Sequence, residues 1–165
     1  MEGELAWWDL DSRKKTRTIE IEDGYHALAL SSDGLTAAIG LDRGIRLINV
    51  RTGTAKEATG AAASSPIRLS FSPDGKTVVS TNIDGTVTLW DAAAATPSET
   101  LRGHSRTVWD PVFSADGETL YTGSSDGTVI AWDLSGDRRL GRRFTFTHDR
   151  GLSLWPPRHP GKFSP

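Results

Sequence analysis

The 165-residue chain contains no cysteine, which excludes disulfides, thiolate metal sites and cysteine nucleophiles. No apolar run approaches the roughly 20 residues needed to cross a bilayer. Met1-Glu2-Gly3-Glu4 leads into no basic segment followed by an apolar stretch, so no secretory leader is expected either. The expectation is a soluble, cytoplasmic protein with no membrane partner. An excess of one charge is also lacking: 19 Lys and Arg stand against 21 Asp and Glu, for a formal net charge of −2. That balance gives no global attraction to nucleic acid or to an anionic surface.

Sites for metals and cofactors are equally scarce. His26, His104, His148 and His159 form no pair at metal-ligand spacing, and no Glu stands where a zinc site would need one. Gly75-Lys76-Thr77 lacks the glycine a phosphate loop requires five residues earlier, where Ser70 stands. Asn82-Ile83-Asp84-Gly85 lacks the ligand spacing of a calcium loop and reads as a turn. No metal and no cofactor is expected.

What the chain does have is a repeat. Asp84-Gly85-Thr86-Val87-Thr88-Leu89-Trp90-Asp91 returns 42 residues later as Asp126-Gly127-Thr128-Val129-Ile130-Ala131-Trp132-Asp133. One period earlier stands Asp42-Arg43-Gly44-Ile45-Arg46-Leu47-Ile48-Asn49, and Glu2 to Asp9 opens the chain with a fourth copy. A second marker runs in phase: Ser31-Ser32-Asp33-Gly34, Ser72-Pro73-Asp74-Gly75 and Ser114-Ala115-Asp116-Gly117. Asp-Gly between short alternating segments marks a hairpin, because Gly accepts positive φ and Asp tolerates the left-handed region. Each period therefore predicts four strands, a to d. In one period these are Ile67 to Phe71, Thr77 to Ser80, Thr86 to Trp90 and a last strand near Glu99 to Leu101. Strand c alternates, so Val87, Leu89, Val129 and Ala131 belong to one face and Thr86, Thr88 and Trp90 to the other.

The Gly-His, Asp-Gly and Trp-Asp signals at this period resemble those of WD-repeat proteins, whose four-stranded blades stand around a channel as a β-propeller. The resemblance implies an all-β fold of about three and a half blades in an open or incomplete ring. It divides the chain into a partial blade of strands c and d (1–25), a degenerate blade (26–60), a blade (61–103), a complete blade (104–147) and the start of a further blade with a frayed tail (148–165). It also implies a hydrogen-bonded tetrad in each complete blade. His104, Thr122, Asp126 and Trp132 supply one in full; Ser80, Asp84 and Trp90 supply three members of another; the first full blade keeps only Asp42, beside Ala38 and Ile48. His26 aligns with Ile67 and Trp109 on strand a rather than with His104, so it is not expected in a tetrad. Such networks satisfy polar groups that would each cost about 1–3 kcal/mol if buried unpaired. The only Ser/Thr, His and Asp grouping is this tetrad, so its likeness to a catalytic triad is read as architecture and no enzyme is expected.

Three full blades are too few to close a ring of four to eight. The expectation is a ring completed by blades outside these residues, in cis, with a second copy in trans as the alternative, since an open arc exposes strand edges and apolar faces. Propellers of this kind bind proteins or peptides on the rim where d–a and b–c loops converge, which implies a scaffold or sensor. The matching positions are Ser105, Arg106 and Trp109 in a d–a loop and Asn82, Ile83, Ser124 and Ser125 in b–c turns. Arg106 and Trp109 lead, because Arg and Trp are enriched at interface hot spots. The basic stretches Arg138-Arg139-Leu140-Gly141-Arg142-Arg143 and Arg13-Lys14-Lys15 with Arg17 fall on or near outer strands, where charge solvates an edge, so nucleic acid is not the expected partner. The Ala- and Arg-rich, Lys-poor texture resembles high-GC bacterial proteins, in which such repeats accompany signalling ATPases and transcriptional regulators. A regulatory module of that kind is one alternative; a propeller enzyme is another.

Overall fold

A computed structural model describes residues 3–21, 26–42, 44–58, 65–136 and 142–145. The expected start of a further blade at 148–165 lies outside them. The described residues form fourteen strands and no helix. Strands β1 (Gly3–Asp9) and β2 (Lys14–Ile21) make a two-stranded antiparallel sheet. Three four-stranded antiparallel sheets follow, each meandering in chain order. The first holds β3 (Ala27–Leu30), β4 (Thr36–Gly40), β5 (Ile45–Asn49) and β6 (Ala55–Ala58). The second holds β7 (Pro66–Phe71), β8 (Thr77–Asn82), β9 (Thr86–Asp91) and β10 (Thr96–Arg102). The third holds β11 (Val108–Phe113), β12 (Thr119–Ser124), β13 (Thr128–Asp133) and β14 (Arg142–Thr145). We call these sheets blades A to D. Among the described residues the arc is an open propeller.

The a–b hairpins share one device. Ser31, Ser72 and Ser114 each donate from Oγ to the aspartate two residues on, at 2.6, 2.6 and 2.5 Å, while Gly34, Gly75 and Gly117 take φ of about 70–77°. The hydroxyl holds the carboxyls of Asp33, Asp74 and Asp116 below the usual carboxylate range, helped by backbone N–H donors. These turns set the register of the strands they join.

No sheet buries its own apolar surface; the core lies in three seams between neighbours. Ile21 packs with Ala37, Ile39, Leu41 and Ile48 between A and B. Trp90 and Val78 pack with Ala38, Ile45, Leu47 and Ala58 between B and C. Val79, Val87, Leu89 and Leu101 pack with Val108, Leu120, Ile130 and Trp132 between C and D. The alternation along β9 decides this assignment, sending Leu89 toward D and Trp90 toward B. The first strand β7 contacts both β3 and β11, and the three line a concave groove of about 510 Å³, so they are innermost. Its walls include Leu28, Leu30, Phe71 and Val112, and its lining side chains are apolar or hydroxyl-bearing, with no acid or base among them.

Candidate functional site: the rim and its buried supports

In blade D the tetrad residues form one chain of hydrogen bonds. Trp132 Nε1 donates to Thr122 Oγ1 at 2.8 Å, Thr122 Oγ1 lies 2.9 Å from His104 Nε2, and His104 Nδ1 lies 3.2 Å from Asp126 Oδ2. The indole is only a donor and the ionised carboxylate only an acceptor, so the order of protons follows. In a neutral imidazole this order puts the ring proton on Nδ1, aimed at Asp126 and at Thr128 Oγ1, 3.1 Å away, and has Thr122 donate to Nε2. The His104 and Trp132 rings meet edge-on with centroids 6.3 Å apart.

Asp126 sits at the outer end of this chain. Burial raises the pKa of its carboxyl, but donors from the Thr128 hydroxyl, the Ser105 and Thr128 backbone N–H groups and His104 outweigh that and hold it well below the ordinary range. A carboxyl whose folded pKa is depressed contributes stability that is present above its unfolded pKa and lost as pH falls through that value toward the folded one. Asp126→Asn is therefore expected to be less stable than wild type at neutral pH and to lose less further stability between about pH 5 and pH 3. Urea unfolding curves at the two pH values check this; parallel losses in both proteins would refute it.

Blade C solves the same problem differently. Trp90 Nε1 donates to Ser80 Oγ at 2.9 Å, and Asp84 Oδ1 accepts from Thr86 Oγ1 at 2.6 Å. Asn82, expected on the rim, instead has its side chain fully buried, because β8 continues through it and turns it inward. Its Nδ2 donates to Thr86 Oγ1 at 2.9 Å and lies 3.4 Å from Thr88 Oγ1. The equivalent hydroxyl in blade D, Thr128 Oγ1, receives His104 Nδ1. Asn82 thus does part of the work of the histidine, and belongs to the support rather than the surface. Its Oδ1 and Thr81 Oγ1 have no partner among the described residues.

In blade B, apolar Ala38 and Ile48 fill the hydroxyl and indole positions, both buried, so no polar interior needs satisfying. Sequence position set His26 apart from any network, yet its Nε2 lies 2.7 Å from Asp42 Oδ1. The pair is largely exposed and joins the start of strand a to the b–c turn at the surface.

The remaining rim residues come together through the d–a loop at 103–107. Thr107 Oγ1 donates to the Ile83 carbonyl at 3.3 Å, Ser105 N donates to Asp126 at 2.9 Å, and Ser124 Oγ donates to the Arg106 carbonyl at 3.1 Å. The b–c turns of C and D therefore flank one loop. Ser105, Arg106 and Ser125 are exposed, and Ile83 and Trp109 are open to solvent over 57% and 46% of their surface. Trp109 Nε1 donates to Ser125 Oγ at 2.8 Å, which fixes the indole without covering it.

Repeats of this geometry are matched by a family model described as WD domain, G-beta repeat, over residues 58–91 and 95–133. Residues 58–133 thus carry two WD repeats. WD repeats generally serve as protein-binding scaffolds and are typically non-catalytic. No curated protein matches the chain. Among the described residues no helix is long and apolar enough to cross a membrane, and no three side chains group to hold a metal ion.

Two rim residues escape a reading by loop position. The Arg68 guanidinium lies 5.9 Å from the Trp109 ring centroid, and Arg68 Nε donates to Asp110 Oδ1 at 3.0 Å. Arg68 and Asp110 are one period apart, the same place on adjacent inner strands. That spacing was the available signal.

Proposed function

We propose that this WD-repeat chain is a protein-binding scaffold whose docking surface is the rim around Arg106 and Trp109. The observation that carries the reading is an exposed indole held in a set orientation. Ser125 fixes Trp109 by one hydrogen bond and Arg68 lies against its face, so little side-chain freedom is lost when a partner covers it. Arg106, exposed three residues earlier in the chain, carries a guanidinium able to bind carboxylates in a bidentate manner, while Ile83 supplies apolar surface. The ligand that fits is a protein or peptide segment presenting an apolar side chain beside an acidic one. The groove along the inner strands favours binding over catalysis, its walls being apolar and hydroxyl groups.

A pull-down comparing wild type with Arg106→Ala and Trp109→Ala tests this. The expected result is a captured protein lost or reduced about tenfold or more in each variant, a loss of at least about 1.4 kcal/mol. Unchanged capture in both would remove the rim from the proposal.

A further inference from the structure

Blades C and D break their pairing at the same place on the inner strand. On β7 the partners step from Pro66–Asn82 to Arg68–Thr81, two residues against one, and on β11 from Val108–Ser124 to Pro111–Thr122, three against two. In blade B, β3 pairs with β4 without such a shift. A bulge re-aims the side chains beside it, and bulges gather next to functional sites. Here they present Arg68 from one blade and Trp109 and Asp110 from the next, and none of the three belongs to a seam.

The Arg68 guanidinium is held by three groups. Nη1 donates to the Ile67 carbonyl at 2.8 Å, the Trp109 ring centroid lies 5.9 Å away with its indole fixed by Ser125, and Nε donates to Asp110 Oδ1 at 3.0 Å. Nη2 makes no hydrogen bond among the described residues. The Asp110 contact differs from the other two. It is a single hydrogen bond between side chains open over 49% and 76% of their surface, so it contributes little and is readily given up. The carbonyl and the ring keep the guanidinium in place without it. The edge it half occupies, Nε with Nη2, is one that a carboxylate can grip with both oxygens.

We propose that Asp110 is an internal stand-in for an acidic side chain of the partner. On docking, Arg68 exchanges Asp110 for that carboxylate, which takes Nε and Nη2 together while an apolar neighbour covers Trp109. This rests on the rim reading and adds two residues to it: Arg68 receives the acid, and Asp110 competes with it. Asp110 itself shows the group that fits. A carboxylate is favoured over a phosphoryl group, because the displaced Asp110 stays nearby and repels a dianion more strongly than a monoanion. Among the described residues the Arg106 side chain has no hydrogen bond or ion pair to hold it, so ordering it costs more than ordering Arg68.

A phage-displayed library of random dodecapeptides, selected on the full chain, supplies the probe; the strongest binder is then synthesised with a fluorescent label and titrated by anisotropy. The selected peptides are expected to carry an acidic residue beside an aromatic or aliphatic one. Replacing that acid by its amide is expected to weaken binding to wild type about tenfold and to change little in Arg68→Gln, the signature of a direct pair. Asp110→Asn is expected to bind the acidic peptide about threefold or more tighter, since an exposed competing charge is removed. A pair that only braces the rim gives the opposite sign, so weaker binding by Asp110→Asn overturns the proposal. Far-UV circular dichroism checks that Arg68→Gln keeps its strands; Arg68→Lys, which keeps the charge without the two-pronged edge, replaces it if it does not. Peptides without an acidic residue, peptides that bind only when phosphorylated, or a library that yields no binder overturn the exchange as well. So does an amide effect that vanishes in Arg106→Ala and persists in Arg68→Gln. Binding sensitive to Trp109→Ala but not to Arg68→Gln sinks the exchange and leaves the rim reading standing, whereas binding indifferent to Trp109→Ala removes both.

Discussion

Trp90→Ala is expected to lower the free energy of unfolding by about 3–5 kcal/mol. Trp90 is fully buried, the largest completely enclosed side chain among the described residues, against Ala38, Ile45, Leu47 and Ala58 of the neighbouring blade. Truncation removes that apolar contact, opens a cavity between two sheets whose backbones are fixed by their own ladders, and takes away the donor that Ser80 Oγ accepts. Trp109→Ala, at a half-exposed indole, is expected to cost about 1 kcal/mol or less. Urea denaturation followed by circular dichroism measures both; comparable losses would show that the seams are not where the stability resides.

Gly85→Ala is expected to be far more costly than Gly127→Ala, although both replace the glycine of the same Asp-Gly turn. Their φ values of 87° and 82° put each in the region where an L side chain is strained, at roughly 1–2 kcal/mol. Gly127 incurs only that. At Gly85 the added Cβ also meets backbone, 2.8 Å from the His104 carbonyl and 3.1 Å from that of Arg106, so the d–a loop of blade D must move. A total of about 3 kcal/mol or more is expected, with loss of the Thr107 and Ser124 hydrogen bonds that hold the loop to the two turns. Equal losses at the two glycines would refute the close approach.

The strand pattern was legible because a β-blade is a local object. Asp-Gly turns at a 42-residue period fix hairpins, and the period-two alternation of Thr86 to Trp90 assigns faces without knowledge of neighbours. The blade D network was legible for a similar reason: His104, Thr122, Asp126 and Trp132 each occupy a set place in the repeat, and the side chains reach one another across a single sheet and its loop. Asn82 was misplaced because a residue at the end of strand b can face either way. Only the backbone of β8, running on through position 82, turns it inward.

Local chemistry, then, was written in the order of residues: which segments are strands, where they turn, and which blade can satisfy a buried tryptophan and which replaces it with Ile48 and Ala38. Contacts between blades were not, because they join residues a whole period apart whose partners depend on how one sheet twists against the next. Arg68 meets Asp110 and Trp109 only across two inner strands, Gly85 meets the His104 carbonyl only across a seam, and His26 meets Asp42 only because β3 starts beside the turn that ends β4. The same physics leaves Trp8 and Phe144 exposed at opposite ends of the arc: a repeat defines every seam alike, and only the assembled stack decides which of them has a second half.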